Sequence, residues 1–136
     1  MEIVKILPSR LDVLPDLLLE VSVQLKNYQI SENDIFQIRS CLQEALVNAI
    51  KHGNNLKEDL SVTLRILAHP DSVEIEIEDQ GSGFDLNSVE DPTRNENLCK
   101  LSGRGVFLIK EQMDKVEFLD GGCKLKMVKF FKKENA

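Results

Sequence analysis

Apolar positions change period along the first fifty residues, and each change marks an element. The run Glu2-Ile3-Val4-Lys5-Ile6-Leu7 is strand-like and meets Pro8 and Ser9, which break a ladder and favour a turn, so an edge strand is predicted over 1–7. Leu14, Leu17, Leu18, Val21 and Leu25 then recur at helical spacing, and Pro15 is tolerated in a first turn, which predicts a helix over 15–27. A second helix opens at Ser31, an N-cap with Asp34 three residues on, a weaker acidic form of the capping box. Ile35, Ile38, Leu42, Ala45, Leu46 and Ala49 share one stripe of it, while Glu44 and Asn48 fall together on another face. His52-Gly53-Asn54-Asn55 supplies the stop: Gly53 is expected in the left-handed conformation, with Lys51 and His52 beside the negative dipole end.

Beyond this stop the period becomes two. Val62, Leu64, Ile66 and Ala68 alternate with polar neighbours, Pro70-Asp71-Ser72 turns the chain, and Val73, Ile75 and Ile77 alternate with Glu74, Glu76 and Glu78. This predicts a hairpin with one wet face. Residues 84–102 are polar and aperiodic, long enough to suggest a lid. A helix is expected over 104–115, carrying Val106, Leu108, Ile109 and Met113, followed by a terminal hairpin of 116–119 and 124–131 around Asp120-Gly121-Gly122. Residues 132–136 read as a solvated tail. Helical and strand periods in one chain of 136 residues, with no internal repeat, predict a single α+β domain spanning 1–136.

Composition narrows the function classes. The net charge of −6, from 23 acids and 17 bases, repels polyphosphate at long range and argues against general nucleic-acid binding, so a phosphate ligand must be held locally. No stretch approaches the roughly 18 apolar residues of a membrane span, and the N-terminus resembles neither a signal peptide nor a lipidation signal. Cys41, Cys99 and Cys123 lack the paired spacing of a zinc site. They read as reduced thiols, and a cytoplasmic location is expected.

Three segments carry candidate chemistry. In Asp79-Gln80-Gly81-Ser82-Gly83, directly after a strand, the two glycines let backbone approach a flat or charged ligand; alone, the segment also fits a tight turn with Asp79 bonding local backbone. Ser102-Gly103-Arg104-Gly105 stands before a helix, where free N–H groups, the positive dipole end and a bidentate arginine suit a terminal phosphate. Alone, it also fits a glycine-rich connection. Glu44 and Asn48, at i and i+4, are a plausible magnesium and water-positioning pair, or simply a solvated helix face.

Taken in order, Glu44xxxAsn48, Asp79-x-Gly81-x-Gly83 and Gly103-Arg104-Gly105 resemble the N, G1 and G2 boxes of the GHKL ATPases. The run Glu44-Ala45-Leu46-Val47-Asn48-Ala49-Ile50-Lys51-His52-Gly53 and the run Ser102-Gly103-Arg104-Gly105-Val106-Phe107-Leu108-Ile109-Lys110 resemble, within them, bacterial anti-sigma factor serine/threonine kinases. The resemblance implies a two-layer α/β sandwich of the GHKL (Bergerat) type, a mixed, mainly antiparallel sheet with helices on one face. It implies ATP and Mg2+ as cofactors, with Asn48 as the magnesium ligand, Glu44 as base or orienter of the phosphate acceptor, and Arg104 beside it in catalysis. Asp79 would accept the adenine amino group; Gly81 and Gly83 would admit the nucleotide; Gly103, Arg104 and Gly105 would hold its phosphates; and His52 belongs to the same nucleotide-contacting set. Cys123 stands where family members often carry a threonine that helps hold adenine, and a thiol is the poorer hydrogen-bonding group. The implied partners are an antagonist protein with a phosphorylatable serine and a sigma factor; homodimers are common in the family. The alternative is an ATP-binding module that sequesters a partner without phosphoryl transfer. A histidine kinase fragment fits less well, since no dimerisation segment with a phosphoacceptor histidine is visible in the sequence.

Overall fold

The computed structural model describes residues 1–81, 103–119 and 123–131. Strand β1 (Glu2–Pro8) leads through a 3-10 turn (Leu11–Val13) into helix α1 (Leu14–Asn27), and helix α2 (Glu32–Asn48) runs on into a π turn (Ala49–Gly53). Strands β2 (Ser61–Ala68) and β3 (Ser72–Glu78) precede helix α3 (Gly103–Gln112) and strands β4 (Lys115–Leu119) and β5 (Lys124–Phe130). The strands form one sheet in the order β1-β2-β3-β5-β4, and each pairing is antiparallel.

Periodicity explains the layers. Ile3 and Leu7, Val62, Leu64 and Ile66, Val73, Ile75 and Ile77, and Leu125 and Met127 point to one face of the sheet and join a single core. The expected stripe of α1, Leu14, Leu17, Leu18, Val21 and Leu25, is buried against them, as are Ile35, Ile38, Leu42, Ala45 and Leu46 of α2 and Ile109 of α3. Burying a side chain of this size stabilises by about 1.5–3 kcal/mol, so the helix layer is held to the sheet mainly by these stripes. The other face is polar across its inner strands, with Val4 and Ile6 of β1 exposed at its edge. Arg65, Glu76, Lys126 and Glu117 stand opposite one another across four strands, alternating in sign as cross-strand pairs favour.

Local chemistry sets the boundaries. Pro8 closes β1 opposite Ser61 at the edge of the sheet, where its missing N–H breaks no interior ladder. The Ser31 side chain accepts the Asp34 N–H at 3.2 Å, the expected N-cap of α2. Helix α3 ends three residues before the predicted end. The Met113 N–H donates to the Ile109 carbonyl at 2.8 Å, then the Asp114 N–H reaches the Val128 carbonyl at 2.9 Å. The Asp114 carboxylate also accepts the Phe130 N–H at 2.6 Å, so Asp114 turns the chain into β4. Among the described residues no helix is long and apolar enough to cross a membrane.

Candidate functional site

Glu44 and Asn48 occupy the last turns of α2, each partly exposed beside the buried Cys41, Ala45 and Ala49. Neither side chain makes a hydrogen bond or ion pair with another described residue. Past Asn48 the helix widens. The Asn54 N–H donates to the Ala49 carbonyl at 2.9 Å, a bond over five residues, and such π turns are frequent at functional sites. His52 is exposed on this turn.

Gly53 ends the turn, for a reason other than the expected one. Its φ is not left-handed; positive φ falls instead on Gln29, Asn55 and Leu56. A Cβ on Gly53 would overlap the Asp79 carboxylate, and a Cβ on Gly81 would overlap the Gly53 carbonyl. The two glycines therefore let the end of α2 lie directly against the loop that follows β3.

Asp79 is the centre of that contact. Its backbone N–H donates to the Cys123 carbonyl at 2.9 Å, and its carboxylate Oδ1 accepts the Gly81 N–H at 2.9 Å. Burial raises its pKa above the ordinary carboxylate value, the Gly81 N–H offsets part of this, and Glu78 beside it raises it further. The Cys123 thiol donates to the Gly81 carbonyl at 3.2 Å, so this cysteine, just before β5, adjoins the same loop from the neighbouring strand. Sequence positions 53, 79, 81 and 123 thus converge on one small region.

Asn54 and Gln80 belong to this region although no motif marked them. The Asn54 side chain, 1% exposed, donates to Ser9 Oγ at 2.8 Å and to the Ser61 carbonyl at 3.0 Å, while its Oδ1 accepts the Gln80 N–H at 2.8 Å. The run His52-Gly53-Asn54-Asn55 reads as a turn in sequence, where asparagine is ordinary; only the tertiary partners reveal the amide's work.

Helix α3 begins at Gly103, one residue before the predicted start, so Gly103, Arg104 and Gly105 form its first turn rather than preceding it, and it packs against α2. At its other end the Lys129 ammonium donates to the Gln112 carbonyl at 3.2 Å and lies 4.0 Å from the Asp34 carboxylate of α2. Gly83 and the expected lid, 84–102, lie outside the described residues. Among the described residues no cluster of three His, Cys, Asp or Glu side chains could cage a metal. A shallow depression of about 300 Å³ lies on the polar sheet face, lined by Glu74, Lys115, Glu117 and Lys126 among others, and none of the candidate residues reaches it.

Over residues 7–129 the chain matches the family described as Histidine kinase-like ATPase domain. It is 29% identical over 103 residues to the serine-protein kinase RsbW of Listeria monocytogenes serovar 1/2a, a stretch covering 71% of this chain and 66% of that protein. It is 32% identical over 112 residues to the serine-protein kinase RsbW of Staphylococcus epidermidis, covering 76% of this chain and 70% of the relative. The chain thus spans just under two thirds of the length of the Listeria protein it matches.

Proposed function

The chain belongs to the histidine kinase-like ATPase domain family, and from that premise we propose that it is an ATP-binding, magnesium-dependent serine/threonine kinase of the anti-sigma type. Its substrate is an antagonist protein bearing a phosphorylatable serine, and its second partner a sigma factor that it sequesters. The observation that supports this reading is the close approach of Gly53 and Gly81 to Asp79, by which the end of the helix that carries Glu44 and Asn48 lies against a half-buried carboxylate, the group to which this reading gives base recognition.

Each residue then has a part. Asp79, with Oδ1 already holding the Gly81 N–H, offers its other oxygen to the exocyclic amine of adenine. Gly81 and Gly83 admit the nucleotide, Cys123 helps hold the base in place of a hydroxyl, His52 contacts the nucleotide from the π turn, and the first turn of α3, Gly103, Arg104 and Gly105, receives the phosphates at a positive helix end. Asn48 would hold magnesium through its amide oxygen, a donor type that suits a hard divalent cation otherwise held by phosphates and water, and the ion would supply charge neutralisation across the phosphates. Glu44 orients the acceptor hydroxyl and takes its proton, and Arg104 stabilises charge on the separating phosphoryl group.

The test is phosphate transfer from labelled ATP and magnesium to candidate antagonist proteins, with nucleotide binding titrated on the same samples. Glu44→Ala is expected to lower transfer by about 10²–10⁴-fold while ATP still binds. ATP binding without transfer to any antagonist would favour a sequestering module. Absence of ATP binding by the wild type would overturn the nucleotide site itself.

A further inference from the structure

Asn54 lies between the two halves of the site. Its amide has one consistent orientation: the oxygen must face the Gln80 N–H, a donor, and the nitrogen must face the Ser61 carbonyl, an acceptor. Gln80 closes a cycle, because its Oε1 accepts the Ser61 N–H at 2.6 Å. Ser9, the amide's other acceptor, donates its own hydroxyl hydrogen bond to the Leu60 carbonyl at 2.7 Å. The Asn54 backbone is bound as well, its N–H to Ala49 and its carbonyl to the Lys57 N–H at 3.0 Å. One side chain, almost wholly buried, thereby joins the π turn, the end of β1, the start of β2 and the peptide between Asp79 and Gln80.

That last peptide matters most. Its orientation fixes where the Asp79 carboxylate sits relative to Gly81, and Asp79 and Gln80 are adjacent, so a loosened Gln80 N–H loosens the acceptor for the base. We propose that Asn54 is a positioning residue for nucleotide-base selectivity: it acts through Gln80 to hold Asp79, without touching the nucleotide. The inference rests on the ATP reading above and deepens it. The first Gly-rich segment is then a device of two parts, a recognising carboxylate and a remote amide that sets its aim.

The experiment measures equilibrium affinity for ATP and for GTP, with thermal unfolding, in the wild type, Asn54→Ala, Asn54→Asp and Ser9→Ala. Asn54→Ala is expected to weaken ATP about tenfold, the scale of one lost buried hydrogen bond, with GTP little changed, so that the ATP:GTP preference falls by the same factor. Asn54→Asp sets a second oxygen against the Ser61 carbonyl, opens the cycle and lowers the preference too; it replaces the alanine variant if that one does not fold. Ser9→Ala removes a partner on the opposite side of the amide and is expected to lower the unfolding temperature while keeping the preference. A merely structural asparagine would lower the unfolding temperature in the Asn54 variants and leave the ATP:GTP ratio of the folded protein unchanged, and that result would overturn the proposal. Failure of the wild type to bind ATP would overturn the nucleotide reading and this inference together, whereas wild-type binding with an unchanged ratio in the variants overturns the inference alone.

Discussion

Replacing Gly81 by alanine separates two explanations of the same glycine. If Gly81 is needed only to admit a ligand, alanine leaves the ligand-free fold intact. It would even stabilise it by about 0.4–1 kcal/mol through the unfolded chain, because the Gly81 backbone is not in the left-handed region. In the structure, however, the new methyl would overlap the Gly53 carbonyl oxygen, lie 2.7 Å from the Gly53 carbonyl carbon and stand 3.1 Å from Asp79 Oδ1. The nearest obstacle is backbone, anchored at the end of a π turn whose next residue is 1% exposed, and backbone cannot rotate aside as a long side chain can. Overpacking of this kind costs about 1–3 kcal/mol, and relief by moving the loop weakens the 2.9 Å bond from the Gly81 N–H to Asp79. For a chain of this size the expected fall in Tm is about 3–12 °C in the absence of nucleotide. Differential scanning calorimetry of the ligand-free variant decides the matter. An unchanged or raised Tm would refute the packing argument, even if nucleotide binding were lost.

Three further outcomes are expected. Asp79→Asn should weaken ATP binding; because burial raises the Asp79 pKa, the native carboxylate contributes most to stability below its ordinary pKa and that contribution is lost as pH rises through the raised value. The Tm of the asparagine variant relative to wild type should therefore climb from acid to neutral pH, and a variant Tm that falls relative to wild type over that range would contradict the shift. Lys129→Met keeps the buried stem but strips the Gln112 carbonyl of its 3.2 Å donor and Asp34 of its neighbouring cation, so urea unfolding should show a loss of about 1–3 kcal/mol; an unchanged midpoint would show the contact to be idle. Cys41 is buried, which pushes its thiol up to about 11, and alkylation mapped by mass spectrometry at pH 8 should leave it unmodified until the protein unfolds; labelling in the native state would mean that the helix layer opens.

Much of the fold is legible in the sequence because periodicity reports which face of an element is buried. The five apolar positions of α1, the Ser31 cap and the alternation of β2 and β3 are local facts, decided within one turn or one hairpin. The sheet order is not local: β5 inserts between β3 and β4, and alternation names a strand's faces without naming its neighbours. The same limit governs the site. The three boxes stand out as strings of residue types, yet the reason for Gly53 is a carboxylate contributed by the loop after β3, and the partner of Asn54 is a backbone N–H 26 positions away. Lys129 looks like one of the lysines of a terminal strand, and only the packing of α3 on α2 brings its buried ammonium to a helix end.

The π turn explains how these distant parts meet. Were α2 to continue as an α-helix, the N–H groups beyond Gly53 would bond four residues back and the chain would keep its pitch. Instead the Asn54 N–H bonds Ala49 and the Leu56 N–H bonds Ile50, so the ring widens and the following residues rotate relative to the helix above them. Glu44 and Asn48 stay on regular helix with their side chains free of other described residues, while Gly53 and Asn54 are turned toward the loop of Asp79, Gln80 and Gly81. Glu44 and Asn48 on the one side and the Asp79 carboxylate on the other are consequently joined by one turn of main chain, two glycines that permit contact, and one amide that holds it. Any residue that restores α pitch in 49–53, or that adds a side chain at 53 or 81, acts on both halves at once, which is why the first box and the second are coupled in this fold through backbone geometry rather than through a shared side chain.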